Sequence, residues 1–253
     1  MSSEYNLGLV ALSYLLSVFG SYTALKLATG IPGTSGRLFW FWLVGSAFAL
    51  GGGAVWAMHF VGMLAYNTPL DFGYSLPMTL LSLVLAVFVV GLGLFVVGKR
   101  PGSLIHLVLA GTITGCGVAV MHYTGMAAMV MPGSMSYEPT LFLVSILIAV
   151  GAAICALWLA FNVDGFRLQL LSAMVMGVAV CGMHYTGMAA MHMNYGLPAT
   201  LTLQDLQYEA AIDSDIMATL IAFVAAGVLV ALLLGTREGL SQQRRLAALR
   251  IDR

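Results

Sequence analysis

The chain has 253 residues, of which 60% are hydrophobic and only 8% charged, with ten basic side chains balancing ten acidic ones. A water-soluble domain needs far more charged surface than this. Apolar runs of about 18 residues or more recur, each long enough to cross the hydrocarbon layer as a helix, and their continuity excludes the alternating strands of a membrane barrel.

In chain order, a short tail holding Glu4 and no Lys or Arg precedes the first run, so it lacks the basic start of a cleaved signal peptide. The runs predict seven spans: Leu7–Leu27, Leu38–Tyr66, Leu76–Val97, Leu104–Met131, Thr140–Phe161, Leu168–Met193 and Ile216–Leu234. Turn-forming residues or charges separate them, among them Gly30 to Gly33, Pro69 with Pro77, Lys99 to Gly102, Pro132-Gly133 with Pro139, Asn162 to Gly165, and Pro198. The fold class is therefore all-α, a polytopic membrane protein with seven transmembrane helices.

The charges give it a direction. Lys26, Arg37, Lys99, Arg100, Arg167, Arg237, Arg244, Arg245, Arg250 and Arg253 fall on one side of this layout. Glu4, Asp71, Glu138, Asp205, Glu209, Asp213 and Asp215 fall on the other. Basic loops stay in the cytoplasm, which predicts an amino end outside and a carboxyl end inside. The longest outer connection, Asn194 to Asp215, is acidic and reads as a solvated loop with a short amphipathic stretch at Leu201, Leu203, Leu206 and Tyr208. Cys116, Cys155 and Cys181 all fall inside apolar runs and suggest packing, not a disulfide scaffold.

One segment occurs three times: Met58-His59-Phe60-Val61-Gly62-Met63, Met121-His122-Tyr123-Thr124-Gly125-Met126 and Met183-His184-Tyr185-Thr186-Gly187-Met188. The histidines are 63 and then 62 residues apart. Each repeat is a motif helix followed by a plain helix, so helices 2–3, 4–5 and 6–7 form three two-helix units, with helix 1 outside them. Two-helix units return to the same side and can be related by a pseudo-threefold axis along the membrane normal. Each histidine is expected seven to nine residues before its helix's outer end, which puts all three at one depth.

Helical residues four apart share a face. His59 thus points with Met63, His122 with Met126 and His184 with Met188, and these six are the candidate metal ligands. Met58, Met121 and Met183 are rotated by about 100° from the histidines that follow them and are secondary candidates, as is His192, four residues beyond Met188. Thioether with imidazole suits copper, whereas zinc rarely takes Met. No carboxylate falls in the spans near these positions, which weakens a hard-metal site and a zinc hydrolase in need of a general base. Tyr123, Tyr185, Thr124 and Thr186 are the expected hydrogen-bond partners of the ligating imidazoles. Gly62, Gly125 and Gly187 are small positions where helices can approach. His106 stands apart, at the cytoplasmic start of helix 4. A single membrane-embedded His can be structural, but three in one context at one depth are hard to assign to packing.

At these residues the sequence resembles the MHYT family of bacterial membrane sensor domains. The string Met-His-Tyr-Thr is intact at Met121–Thr124 and Met183–Thr186 and departs at Phe60 and Val61 in the first copy. The resemblance covers nearly the whole chain. It implies copper, one to three ions, held by the Met and His residues near the outer face, with zinc or haem as lesser options. It also implies sensing of a diatomic gas (oxygen, carbon monoxide or nitric oxide) or of copper redox state. The expected partners are the lipid bilayer, the gas and a cytoplasmic output domain or protein, commonly one that makes or breaks cyclic di-GMP. A homodimer is a candidate assembly, and no nucleic acid is expected. The chain then divides into a sensor domain, 1–235, and a basic juxtamembrane helix, 236–253, with no catalytic domain of its own. Two other classes compete, a zinc-dependent membrane hydrolase and a copper carrier or channel. The first calls for a carboxylate beside the histidines. The second calls for sulfur donors across the whole membrane, for which Cys116 and Cys181 lie deeper on helices 4 and 6.

Overall fold

The computed structural model describes residues 5–67, 72–131, 134–194 and 211–251. Its helices are α1 (Leu7–Ala28), α2 (Gly36–Leu64), α3 (Leu76–Lys99), α4 (Leu104–Ala127), α5 (Pro139–Asn162), α6 (Phe166–Ala189) and α7 (Ser214–Ile251), and all seven contain stretches long and apolar enough to span a membrane. Short strands decorate one end: β1 (Gly73–Ser75) pairs with β2 (Met129–Val130) and β5 (Ala211–Ile212), and β3 (Ser134–Tyr137) pairs with β4 (Met191–Asn194). The stretch around Leu201 to Tyr208 lies outside the described residues.

Helix starts follow from capping chemistry. The Asn6 side chain accepts the N–H groups of Gly8 and Leu9 at 3.0 and 3.3 Å. Glu138 accepts those of Thr140 and Leu141 at 2.9 and 2.7 Å, and Asp213 accepts that of Ile216 at 2.9 Å. Pro77 and Pro139 occupy the first turns of α3 and α5, where no N–H is needed. Gly102 and Gly165, at φ 87° and 85°, make the two tight turns before α4 and α6.

The motif helices end earlier than the hydrophobic pattern predicts. α2 stops at Leu64 instead of Tyr66, α4 at Ala127 instead of Met131, and α6 at Ala189 instead of Met193. In each, the next alanine accepts a backbone hydrogen bond from a capping residue of a neighbouring helix: Asn6 to Ala65, Ser75 to Ala128 and Glu138 to Ala190, at 2.8, 2.7 and 2.8 Å. These bonds satisfy helix-end carbonyls and release the chain into an extended conformation. Each histidine therefore lies five residues before its last helical residue, not seven to nine. α7 continues without a break through the boundary expected at 235–236.

The same three bonds define how the bundle closes. α1 packs between α6 and α2, α3 between α2 and α4, and α5 between α4 and α6. The result is a ring in which plain and motif helices alternate, while α7 packs outside it on α1 and α2. The threefold repeat is thus shifted in space relative to the sequence, since α1 fills the third plain-helix place and α7 is the extra helix. Close approach within the ring uses glycine, because a Cβ at Gly20, Gly51 or Gly115 would run into the backbone of Ala54, Ala86 or Val150 on the adjacent helix. Gly51 is eight residues before His59, whereas Gly115 and Gly177 are seven before theirs. Only the first copy carries a π-helical stretch, Phe48–Ala57, which takes up the extra residue.

Lys26, Arg37, Lys99, Arg100, Arg167 and Arg237 lie toward the end of the bundle opposite the strands, where the Lys99 ammonium sits 4.8 Å above the Phe39 ring. Large apolar side chains such as Phe88 and Phe223 are 65% and 71% exposed around the outside, as a lipid-facing wall requires.

Candidate metal centre

The three repeats bring their histidines to one point. His59, His122 and His184 are buried, each about 1% exposed. Their Nδ1 atoms form a triangle with edges of 3.0 Å (His59–His184), 3.0 Å (His59–His122) and 3.4 Å (His122–His184). The rings stand nearly edge to face, at interplanar angles of 71° to 86°.

Such a triangle is poor as a hydrogen-bond network. A ring nitrogen either carries a hydrogen and donates or lacks one and accepts. Of three nitrogens in mutual contact, two must be alike, so at least one edge sets donor against donor or lone pair against lone pair. A cation at the centre removes the conflict. The centre is about 1.8 Å from each nitrogen, and a displacement of about 0.9 Å from the plane gives the roughly 2.0–2.1 Å of a metal–imidazole bond. These three histidines could hold a metal ion, and no carboxylate or cysteine joins the cluster among the described residues.

Each imidazole is seated by its neighbour's motif. The His59 Nε2 abuts Gly125, that of His122 abuts Gly187 and that of His184 abuts Gly62, and a Cβ at any of these glycines would overlap the ring. The motif glycine is thus the floor on which the preceding helix's histidine rests, a role beyond letting helices approach. The Nε2 atoms are buried without a hydrogen-bond partner. Tyr123 and Tyr185 do not supply one, because the residue after each histidine is turned away from the ring centre. Tyr123 donates to Ser145 on α5 at 2.7 Å, and Tyr185 donates to Ser13 on α1 at 3.0 Å.

Those serines are interhelical contact positions that the motif search missed. Ser13, Ser82 and Ser145 each lie seven residues after the capping residues Asn6, Ser75 and Glu138. Each donates to the carbonyl three residues back, at 2.7 Å, and presents its oxygen to a motif helix. In the first copy Phe60 has no hydroxyl, and Trp56 Nε1 donates to Ser82 at 3.0 Å instead. A buried serine at one fixed offset in three apolar helices was the available signal.

The methionines divide into two layers. Met58, Met121 and Met183 line, together with the three histidines, a cavity on the membrane-centre side of the triangle. Met63, Met126 and Met188 are buried on the other side, in an apolar cluster that includes Tyr74, Met129, Met191 and Met217. Burial holds the Tyr74 phenol well above its usual pKa. His192 is not on the motif stripe, because α6 has already ended; it is exposed on β4 opposite Ser136. His106 hydrogen-bonds Ser103 at 2.8 Å in the first turn of α4, far along the helix from His122.

The family model for the bacterial signalling protein N-terminal repeat, MHYT, matches residues 52–110, 115–173 and 177–248. The chain belongs to the MHYT family. Its three matched segments each begin in a motif helix and run into the following helix, as the sequence repeat does. This MHYT chain is 46% identical over 199 residues to the bifunctional diguanylate cyclase/cyclic di-GMP phosphodiesterase MucR of Pseudomonas aeruginosa, covering 77% of this chain and 29% of that protein. It is 38% identical over 207 residues to the cyclic di-GMP phosphodiesterase NbdA of the same organism, covering 79% of this chain and 26% of NbdA. It is 32% identical over 193 residues to the signalling protein YkoW of Bacillus subtilis, covering 74% and 24%. The chain thus spans under a third of the length of these relatives. No solved structure matches it.

Proposed function

We propose that this MHYT chain is a membrane sensor domain in which His59, His122 and His184 hold a copper ion. Its signal is a diatomic gas (O2, CO or NO) or the redox state of the copper, and its output passes to cyclic di-GMP turnover in the cytoplasm. The triangle of three Nδ1 atoms carries this reading. Copper is favoured over zinc because the triad is flanked by buried thioethers on both sides, Met58, Met121 and Met183 on one and Met63, Met126 and Met188 on the other. Copper there would supply a coordination position for the gas and a preference for different geometries in its two oxidation states.

The protein's own part is to fix the three rings on glycine seats, exclude water from them and transmit their spacing. α2, which carries His59, also packs against α7, and α7 leads into the basic carboxyl-terminal stretch. The gathering of basic residues at that end supports a cytoplasmic carboxyl-terminal stretch with the strands outside. The names of MucR and NbdA support a cyclic di-GMP output.

Three histidines with an open position also describe a catalytic zinc site, so a zinc-dependent membrane hydrolase is the second reading. Metal analysis of purified protein decides between them. Copper is expected in the native chain and absent from the triple variant His59→Ala, His122→Ala, His184→Ala. Zinc in the native chain favours the hydrolase, and equal copper in both forms removes the proposal.

A further inference from the structure

The triad is closed on its outer side. Beyond the rings lie Met63, Met126 and Met188, buried together with Tyr74 and Ile212 of the strands. On the opposite side is a cavity of about 60 Å³, bounded by the three rings, by Met58, Met121 and Met183, and deeper by Val118, Leu157 and Met176. All the motif-helix residues in its wall lie at or before the histidines in sequence, so it reaches from the triad toward the middle of the membrane. Its lining offers water almost no partners, and a cavity of that character stays dry and accepts apolar guests.

The wall between α5 and α6 is thin. Cys155 of α5 and Val175 of α6 both line the cavity and are exposed on the outside of the bundle, Val175 at 60%. The residues beside them in the lining, Ala152 and Ala156 on α5 and Ala179 on α6, are small and only partly buried. Elsewhere the ring is plugged. Thr114 and Leu157 crowd Gly93 between α3 and α4, and Gly115 lies against the backbone of Val150 between α4 and α5. At this depth the outside of the bundle is hydrocarbon, not water.

We propose that the α5–α6 seam at Ala152, Ala156, Val175 and Ala179 is a lateral portal. A small uncharged molecule dissolved in the bilayer enters there and reaches the inner face of the His59–His122–His184 ring. The size and dryness of the cavity admit a diatomic or similarly small apolar molecule and reject ions and larger solutes. This rests on the sensor reading for the identity of the guest, but the route itself does not require a metal.

The test uses the full chain in lipid nanodiscs. Xenon, an apolar monatomic probe, is followed by xenon-129 NMR on metal-free protein. The wild type is expected to bind xenon in exchange with the lipid. Ala152→Trp and Ala179→Trp, one on each side of the seam, are each expected to slow that exchange by roughly tenfold or more, equivalent to about 1.4 kcal/mol on the barrier. Val175→Ala is expected to speed it, and Val84→Trp, on the lipid face of α3 (Val84 is 64% exposed), to leave it unchanged. In copper-loaded protein, carbon monoxide association should slow in the two Trp variants at unchanged copper content. Unchanged xenon exchange in both Trp variants, or no bound xenon in the wild type, overturns the portal. Xenon behaving as expected in a chain that takes up no copper upholds the portal and removes the copper reading instead.

Discussion

Alanine at Gly125 makes two physical arguments predict opposite signs. In a helix interior, Gly→Ala ordinarily stabilises by about 0.8–1.0 kcal/mol. Here a Cβ would overlap the His59 imidazole, and restoring van der Waals separation requires the ring to retreat by about 1 Å. A shift of that size, set against a distance of about 1.8 Å from Nδ1 to the centre of the triangle, removes the fit to the roughly 2.0–2.1 Å of a metal–nitrogen bond. Overpacking of this kind costs about 1–3 kcal/mol, which outweighs the propensity gain. Gly125→Ala should therefore lower both unfolding stability in detergent and metal affinity, the latter by at least the ~10–100-fold that a lost supporting contact costs. Because the seats are cyclic, the rescue is specific. His59→Ala should relieve Gly125→Ala, with a coupling energy of about 1–3 kcal/mol in a double-mutant cycle. His184→Ala should relieve Gly62→Ala. The crossed pairing, Gly125→Ala with His184→Ala, leaves the His59 ring above the new methyl group. Equal coupling for matched and crossed pairs, or a Gly125→Ala protein with native metal content, would refute the seat argument.

Two pH effects follow outside the spans. The Glu138 carboxyl is held below its usual pKa by the backbone N–H of Leu141 and then that of Thr140. Its contribution is present at neutral pH and lost as pH falls through the depressed value, since the unfolded chain then binds the extra proton first. Glu138→Gln should flatten that part of an acid unfolding profile. The Tyr74 phenol is raised by burial, so its contribution holds below its ordinary pKa of 10 and declines as pH rises beyond it. Its hydroxyl has no hydrogen-bond partner among the described residues. Tyr74→Phe should accordingly remove the alkaline sensitivity and stabilise the fold by about 1 kcal/mol, measured by thermal unfolding.

What the sequence disclosed was whatever repeats along one chain. The spans follow from continuous apolar length, and the common depth of His59, His122 and His184 follows from three copies in register, whereas their meeting depends on helix rotation, which the repeat does not fix. What it withheld depends on contacts between helices. The outer ends of α2, α4 and α6 are set by hydrogen bonds from Asn6, Ser75 and Glu138, which no hydrophobic window registers, so the triad lies nearer the helix ends than the pattern implied and His192 falls off the stripe. The seats are likewise invisible from within one repeat, because Gly125 serves the histidine of the preceding copy and not its own. Pairing of Tyr185 with Ser13, the counterpart of Tyr123 with Ser145, required knowing that α1 takes the place of a third plain helix beside α3 and α5.

That substitution also accounts for the divergence of the first motif. A seventh helix packed on one side breaks the threefold, and α7 does so at α1 and α2. α2 is also the helix with the π-helical stretch and with Phe60 where the other copies have tyrosine. Phe60 is fully buried, its ring 4.9 Å from that of Trp56 and 5.7 Å from that of Tyr74. The serine a tyrosine would seek, Ser82, already accepts from Trp56. Restoring the motif by Phe60→Tyr should therefore destabilise by about 1–3 kcal/mol, the cost of a buried hydroxyl without a partner. The reverse change, Tyr123→Phe, loses one interhelical hydrogen bond, worth about 0.6 kcal/mol in a membrane. Unfolding of the two variants under the same conditions compares them directly. If Phe60→Tyr proves as mild as Tyr123→Phe, the first copy differs for a reason other than the place its helix occupies.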